Sequence, residues 1–252
     1  MMRSIKRTAA VVLLAVTLLQ LGACAKTQSE AVGAGVITEA PATPDPTEAL
    51  PSPTPIVTAE PTEIATPDPN ELRLLGEFEL KSVLARNEYT SETQRILVES
   101  AVSLIGKVTY FWGGKSYYVG ADPYWGKPLE VTSAGDPTTG SVLPYGLDCS
   151  GFICWCAAQL KNGTKWTANN VGEGSWHQWS HSEYVGEGDI RPGDLAFQNE
   201  YPGAETQHVG IVVGFLENGD PVIVHCSATE NGVVVSTAGD VFHIFRRFKF
   251  MK

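Results

Sequence analysis

Residues 145–152 read Tyr145-Gly146-Leu147-Asp148-Cys149-Ser150-Gly151-Phe152 and carry the strongest structural signal in the chain. A helix is predicted to begin near Cys149 and to run through Ala157 and Leu160 to Gly163. Backbone N–H groups at a helix start stabilise negative charge, so we expect them to favour the thiolate of Cys149 over its thiol. The same groups are suited to binding the oxyanion of a tetrahedral intermediate. The stretch therefore predicts a nucleophilic cysteine.

A further helix is predicted upstream of this stretch. Ser91 and Gln94 fit a capping box, and apolar residues follow at helical spacing as far as Ile105. Gly106 is a typical helix end. Residues 71–89 contain several leucines, but their spacing does not distinguish a helix from a strand.

Strands dominate the C-terminal part of the chain. Asn218-Gly219 is a strong hairpin signal, and Asn231-Gly232 supplies a second turn. Helices first and consecutive antiparallel strands afterwards predict an α+β domain, with the helices packed on an antiparallel sheet. The predicted strands cover residues 194–198, 208–215, 221–227, 233–236 and 241–248.

Two histidines lie on neighbouring predicted strands. His208 begins the strand before the Asn218-Gly219 turn, and His225 lies in the strand after it. In a hairpin, both side chains can point to one face, against the helix that begins at Cys149. A cysteine nucleophile needs a histidine as base, and a further polar group orients that base. Strand spacing alone does not distinguish this arrangement from two histidines buried in a core.

Four sequence elements, in this order, resemble those of the NlpC family of bacterial cell-wall cysteine peptidases, which are papain-like. Together they span roughly residues 91–252. The elements are Tyr110-Phe111-Trp112-Gly113-Gly114, Asp148-Cys149-Ser150-Gly151-Phe152, Arg191-Pro192-Gly193-Asp194-Leu195-Ala196-Phe197 and His208-Val209-Gly210-Ile211, with His225 at the third polar position.

The resemblance implies a role for each matching residue. Cys149 would be the nucleophile, His208 the general base and then the acid, and His225 the residue that orients His208. The family acts without a metal or other cofactor, and we expect none here.

The resemblance also implies three substrate-binding residues. The Tyr110 hydroxyl would lie near the thiol, and Asp148 and Ser150 would lie near a free amine of the substrate. An alternative for Asp148 and Ser150 is simple capping of the helix, and the sequence leaves both open.

Enzymes of this family hydrolyse amide bonds in peptidoglycan stem peptides, commonly the bond from γ-D-glutamate to a diamino acid. The expected mechanism passes through an acyl-enzyme thioester. Other interpretations remain open: an N-acetylmuramoyl-L-alanine amidase, another amide hydrolase, or a non-catalytic lipoprotein that binds the cell wall. The presence of all three residues Cys149, His208 and His225 favours an enzyme.

The N-terminus has the features of a secretory signal. A basic segment with Arg3, Lys6 and Arg7 precedes an apolar run from Thr8 to Leu21, which is shorter than the ~20 residues of a membrane span. Leu21-Gly22-Ala23-Cys24 resembles a bacterial lipobox, which implies cleavage before Cys24 and lipidation of its thiol. An ordinary signal peptide with an incidental cysteine is the alternative.

A proline-rich linker follows the lipobox. Residues 41–69 contain nine of the sixteen prolines, with many threonines and acids and few bulky apolar residues, so they are expected to remain unfolded. The predicted organisation is a signal peptide at 1–23, a lipidated cysteine and linker at 24–70, and a catalytic domain at 71–252. We expect a monomer anchored at the outer face of a membrane, although which membrane stays open.

The net charge of −10 argues against a nucleic-acid partner, because such proteins usually carry a basic surface. Peptidoglycan stem peptides are the expected partner.

Three features depart from the family pattern or lie outside it. Residues 115–146 form a long insertion rich in Tyr and Trp, which either shapes access to the cleft or packs on the surface by itself. His177 and His181 have the spacing of a metal pair, but no third ligand is evident. We therefore expect ordinary histidines near the surface. Buried thiols are expected for Cys154, Cys156 and Cys226.

Overall fold

The computed structural model of the protein describes residues 72–202 and 207–251. These residues belong to one compact unit. The signal peptide, Cys24 and the linker predicted from the sequence lie outside the described residues. Within them, no helix combines the length and the apolar character that a membrane span requires.

Five α-helices are present in the described part of the chain. Ser91 caps α2 by accepting a hydrogen bond from the Gln94 N–H at 3.2 Å, as the sequence predicted. Residues 71–89, which the sequence left undecided, contain α1. The helices are α1 (Glu77–Ala85), α2 (Glu92–Ser103), α3 (Cys149–Ala158), α4 (Thr164–Asn170) and α5 (Ser175–Ser180).

The helix that begins at Cys149 is shorter than predicted. It ends at Ala158, and Gly163 is the N-cap of the next helix, with a φ of +86°. Lys161 before it also has a positive φ, of +60°. Two residues in left-handed backbone within three positions interrupt a helix, so the chain turns and starts α4 instead.

Within the described residues, eight strands form two sheets. Six of them make one antiparallel sheet in the order β3-β8-β4-β5-β6-β7, and β1 and β2 pair as a separate hairpin inside the 115–146 insertion. The strands are β1 (Pro128–Glu130), β2 (Val142–Pro144), β3 (Ser182–Tyr184), β4 (Leu195–Phe197), β5 (Val209–Phe215), β6 (Pro221–Ser227), β7 (Gly232–Thr237) and β8 (Ile244–Phe248).

The predicted turns connect the central strands. Gly219 has a φ of +94° and Asn231 a φ of +49°, and these turns join β5 to β6 and β6 to β7. The predicted strand at 241–248 starts later, at Ile244, and the one at 194–198 is reduced to three residues. The α+β class and the helices packed on an antiparallel sheet are confirmed.

The α3 helix lies in the centre of the core. All ten of its residues are buried, because it packs against the sheet strands β5 and β6 on one side and against α2 and α4 on others. Phe152 and Ile153 are fully buried in the main apolar cluster. A helix buried all round is held firmly by its neighbours, so its first residue, Cys149, has a fixed position relative to β5 and β6.

Candidate active site

Cys149 is the first residue of α3, as the sequence predicted. Asp148 is the N-cap, and its Oδ1 accepts the Gly151 N–H at 2.6 Å. Cys149 is 9% exposed, at the floor of a cleft of about 350 Å³. Asp148 therefore caps α3, which is one of the two roles that the sequence left open for it.

A backbone crossing holds the start of α3 in place. The Phe111 N–H donates to the Leu147 carbonyl at 3.0 Å, and the Asp148 N–H donates to the Gly114 carbonyl at 3.1 Å. At Gly114, a Cβ atom would lie 2.3 Å from the Gly146 carbonyl oxygen, which is far inside van der Waals contact. Gly114 in the sequence therefore reflects a close approach of two backbones beside Cys149.

The two predicted histidines meet on the sheet. His225 on β6 pairs in register with Gly210 on β5, and His208 directly precedes β5. His208 Nε2 lies 2.8 Å from His225 Nδ1, and His225 Nε2 lies 3.0 Å from the Ser236 hydroxyl on β7. The result is a continuous polar chain from His208 to Ser236 across three strands.

A buried phenylalanine supports both imidazole rings. The ring centroid of Phe242 lies 5.4 Å from that of His208 and 5.2 Å from that of His225. Phe242 is 2% exposed, so it shields the histidine pair from water on one side. Apolar packing of this kind restricts the rotamers of both histidines.

The cysteine lies beside the first of the two histidines in the chain. The backbone N–H groups of Ser150 and of Val209, the residue after His208, lie close enough to the Cys149 sulfur to act against the rise of its pKa. His208 contacts His225 through Nε2, so Nδ1 is the ring nitrogen of His208 that His225 does not engage. Cys149 therefore lies beside the residue that follows His208, and the two histidines line a cavity of about 360 Å³ that is distinct from the cleft lined by Cys149.

Burial determines the protonation states here. It raises the pKa of the Cys149 thiol to about 12, and the Asp148 carboxylate acts in the same direction. The Lys115 ammonium and the backbone N–H groups act against this rise without cancelling it. Our expectation of a favoured thiolate is therefore wrong for the free protein, because desolvation outweighs the helix start.

The histidines are neutral for the same reason. Burial lowers the pKa of His208 to about 4, although the Asp148 carboxylate opposes this. Burial and the neighbouring His208 together lower the pKa of His225 to about 3. Near neutral pH the site holds one thiol and two uncharged imidazoles.

The depressed histidine pKa values predict a pH-dependent stability. Below pH 6.5 the histidines of the unfolded chain take up protons, whereas His208 in the folded protein stays neutral until about pH 4. The free energy of unfolding therefore falls as the pH falls through this range. Between pH 7 and pH 5, we expect the free energy of unfolding of His225→Asn to fall by about 2 kcal/mol less than that of wild type. Urea denaturation at the two pH values measures this. His243→Asn, at an exposed histidine, is expected to behave as wild type; equal losses in His225→Asn and wild type would contradict the prediction.

The three predicted substrate-binding residues also surround Cys149. Tyr110 is half-buried and close enough for the charge of Cys149 to contribute to the raised pKa of its phenol, which burial dominates. Asp148 and Ser150 flank Cys149, and the Ser150 hydroxyl donates to Asp148 Oδ1 at 2.9 Å. Lys115 contacts both, since its ammonium is paired with Asp148 Oδ2 and donates to Ser150 Oγ at 3.1 Å.

The 115–146 insertion contributes to the cleft wall. Lys115, Ser133 and Ala134 line the cleft together with Cys149, and the Trp112 indole N–H donates to the Ala134 carbonyl at 3.0 Å. The same segment bounds a second cavity of about 630 Å³ through Tyr117, Tyr118 and Tyr124, among others. Of the two interpretations left open, this placement supports the one in which the insertion shapes the cleft.

The remaining polar candidates lie elsewhere. His177 is exposed on α5. Its backbone carbonyl lies 2.7 Å from His181 Nδ1, so a ring nitrogen of His181 is used for a backbone contact and not for a shared metal ion. Within the described ranges no group of three or more His, Cys, Asp or Glu residues is arranged to hold a metal ion. Cys154, Cys156 and Cys226 are buried free thiols, as expected.

Four residues of the site were not identified from the sequence. Lys115 directly follows the Gly113-Gly114 pair, and its closeness to Cys149 could have been inferred from this position. Ser236 and Phe242 lie on or after β7 with no local signal of their role. Gln178, fully buried on α5, donates to the Ser150 carbonyl at 2.8 Å and so supports the first turn of α3.

A buried helix that begins with a cysteine and packs on an antiparallel sheet carrying a histidine pair is the arrangement of a papain-like architecture. The sequence pattern of the NlpC/P60 family matches residues 107–243, more than half of the chain and the whole span from Tyr110 to His225. The chain belongs to the NlpC/P60 family.

Several solved structures are similar to the chain. The peptidoglycan hydrolase RipB from Mycobacterium tuberculosis is 23% identical, with 68% of this chain and 67% of that chain covered and a TM-score of 0.39. The NlpC/p60 domain of the peptidoglycan hydrolase SagA is 21% identical, with 62% and 98% covered and a TM-score of 0.41. RipD from Mycobacterium tuberculosis, described as a non-catalytic NlpC/p60 protein adapted to peptidoglycan binding, is 18% identical, with 62% and 96% covered and a TM-score of 0.41. A comparison with curated protein sequences found no match.

Proposed function

We propose that this protein is a peptidoglycan hydrolase that cleaves an amide bond of the stem peptide, between γ-D-glutamate and the diamino acid. The observation that carries the proposal is the 2.8 Å contact between His208 Nε2 and His225 Nδ1, together with the closeness of the Cys149 sulfur to the N–H of Val209, the residue after His208. A nucleophile, a base and an orienting group in this order are the requirements of covalent amide hydrolysis. A surface that only binds has no use for them.

Acylation begins from the neutral pair. In the arrangement we propose, His208 donates its Nε2–H to His225 Nδ1, and His225 donates its Nε2–H to the Ser236 hydroxyl. The lone pair on His208 Nδ1 then takes the proton of the Cys149 thiol as the sulfur bonds to the substrate carbonyl carbon. Because burial keeps the thiol protonated, proton transfer accompanies the attack and does not precede it.

The intermediate then collapses. In this proposal the Cys149 N–H at the start of α3 binds the oxyanion, because the Gly151 N–H already donates to Asp148, and Tyr110 lies near enough for its hydroxyl to contribute. The carbon–nitrogen bond breaks, and the imidazolium of His208 protonates the leaving amine, which leaves a thioester on Cys149. His208 next deprotonates a water molecule that attacks the thioester, and the departing sulfur takes back a proton.

We also propose an anchored location for the catalytic domain. Cys24 follows a lipobox-like sequence, and lipidation there would tether the chain to the outer face of a membrane through the proline-rich linker. Such a tether keeps the enzyme within reach of the cell wall. Metabolic labelling with a palmitate analogue, in wild type and in Cys24→Ala, tests this; equal labelling would contradict it.

Digestion of purified peptidoglycan tests the activity. Wild type is expected to release fragments with new amino and carboxyl ends within the stem peptide, and Cys149→Ala is expected to release none, because the nucleophile is gone. Mass spectrometry of the fragments identifies the bond. Cys156→Ala, which removes a buried thiol of the same helix outside the site, is the matched control and is expected to cleave.

Other products distinguish the alternatives. Separation of intact stem peptides from the glycan would indicate an N-acetylmuramoyl-L-alanine amidase. Sedimentation with peptidoglycan without any cleavage, equal in wild type and Cys149→Ala, would contradict hydrolysis and indicate a cell-wall-binding protein.

A further inference from the structure

The chain's own lysine occupies the polar corner of the cleft beside Cys149. The Lys115 ammonium is paired with Asp148 Oδ2 and donates to Ser150 Oγ at 3.1 Å. The other carboxylate oxygen, Oδ1, already accepts the Gly151 N–H at 2.6 Å and the Ser150 hydroxyl at 2.9 Å. Both oxygens of Asp148 are therefore engaged inside the protein, and its negative charge is balanced.

This placement of Lys115 is built into the fold. The Tyr145 hydroxyl donates to the Lys115 carbonyl at 2.6 Å and accepts the Lys115 N–H at 3.3 Å. The preceding residue, Gly114, is fixed by its carbonyl contact with the Asp148 N–H. The backbone of Lys115 is thus held on both sides, so the side chain starts from a defined position next to Asp148.

The ammonium also faces the substrate cleft. Lys115 lines the same cleft as Cys149 and Ser150, and its side chain is 24% exposed while that of Asp148 is 9% exposed. An ammonium has three N–H donors, and Asp148 and Ser150 use two of them. The third is available to an acceptor bound in the cleft.

A carboxylate in a cleft attracts the free α-ammonium of a peptide, whereas an ammonium repels it. The remaining carboxylate of this cleft, Glu173, is exposed and accepts a hydrogen bond from the Tyr117 hydroxyl at 3.0 Å. At the buried corner next to the nucleophile, the charge that a ligand meets first is therefore the positive charge of Lys115. A carbonyl oxygen is a suitable partner for its third N–H.

We propose that Lys115 is a specificity-determining residue that makes the cleft select stem peptides whose terminal amino group is acylated. In the intact polymer this amino group is joined to the glycan by an amide bond, so the substrate class is the stem still attached to its glycan. The acyl carbonyl accepts from Lys115, and a released stem with a free ammonium is rejected. This inference rests on the proposed function, since it assigns a substrate to the same site.

Binding to an inactive variant tests the inference without relying on turnover. Purified Cys149→Ala protein is titrated calorimetrically with the tripeptide L-alanyl-γ-D-glutamyl-diaminopimelate and with the same peptide N-acetylated at alanine. We expect the acetylated peptide to bind at least tenfold more tightly. Equal binding, tighter binding of the free amine, or no binding of either peptide would overturn the proposal.

Variants at Lys115 test its part in the preference. Lys115→Met leaves Asp148 without its cation, so the preference is expected to invert toward the free amine. Lys115→Arg keeps the charge and is expected to keep the preference for the acetylated peptide. Lys81→Met, which removes an exposed lysine paired with Glu77 on α1, is the matched control and is expected to leave the preference unchanged. A preference in Lys115→Met that equals the wild-type one would assign the selectivity to other residues and refute the role of Lys115.

The experiments distinguish a failure of the Lys115 proposal from a failure of the proposed hydrolase activity. Cleavage of peptidoglycan together with equal binding of both peptides would refute only the role of Lys115. The expected binding preference without any cleavage would refute only the hydrolase activity.

Discussion

Replacing His208 with alanine is expected to lower the turnover number on peptidoglycan by roughly 10²–10⁴-fold while the protein remains folded. His208 supplies the nitrogen that takes the proton of a thiol whose pKa burial raises to about 12, so the sulfur stays protonated without a base. Initial rates of fragment release, measured by chromatography, give the effect. His243→Ala, at an exposed histidine, is expected to retain the wild-type rate.

The polar chain behind His208 predicts a graded series. His225→Ala removes the group that orients His208 and is expected to cost less than His208→Ala, because the base itself remains. Ser236→Ala removes only the hydroxyl at the end of the chain, 3.0 Å from His225, and is expected to cost least. An unchanged rate in His208→Ala would contradict the assigned base, and a Ser236→Ala effect larger than that of His208→Ala would contradict the order.

Replacing Gly146 with alanine is expected to lower the free energy of unfolding by about 3 kcal/mol or more. The added Cβ would lie 1.9 Å from the carbonyl oxygen of Thr109, which is backbone and unable to rotate away. The crossing that holds the start of α3 would have to open. Urea denaturation followed by circular dichroism measures the loss.

An exposed glycine provides the control for this substitution. A Cβ at Gly188 would meet no atom within 4 Å, so Gly188→Ala is expected to change the free energy of unfolding by less than about 0.5 kcal/mol. A wild-type value for Gly146→Ala would contradict the close approach. Because Gly146 lies only two residues before Asp148 and three before Cys149, the same variant is expected to lose activity at temperatures where it is still folded.

The backbone crossing and the histidine pair explain different parts of the sequence motif. Gly114, Gly146 and Gly151 are required by contacts between backbones, since a Cβ on any of them would lie within 2.5 Å of a carbonyl oxygen. Cys149 and His208 are required by the proposed chemistry. The motifs that carry the family resemblance contain both kinds of residue. The structure shows which of them are needed for backbone packing and which take part in the proposed chemistry.

Much of the fold was predictable from the sequence. The start of α3 at Cys149, the cap of α2 by Ser91 and the hairpin turn at Gly219 all agree with the structure. The short elements β1, β2, β3, α4 and α5 were not predicted. Segments of three to seven residues contain too few positions for a periodic pattern, so their form depends on what they pack against.

Only part of the candidate site was predictable from the sequence, and its electrostatics were not. The sequence by itself determined that Cys149 begins a helix and that two strands joined by a tight turn carry His208 and His225. These features follow from capping, periodicity and turn geometry, which involve residues close together in the chain.

Only the tertiary structure decided what surrounds those residues. Lys115 meets Asp148 across 33 positions of the chain, and Ser236 reaches His225 only because β6 and β7 pair. Burial of α3 keeps Cys149 a thiol, where the helix start alone predicted a thiolate. Charge pairing and desolvation depend on which distant segments exclude water from a group, and the order of residues along the chain does not contain that information.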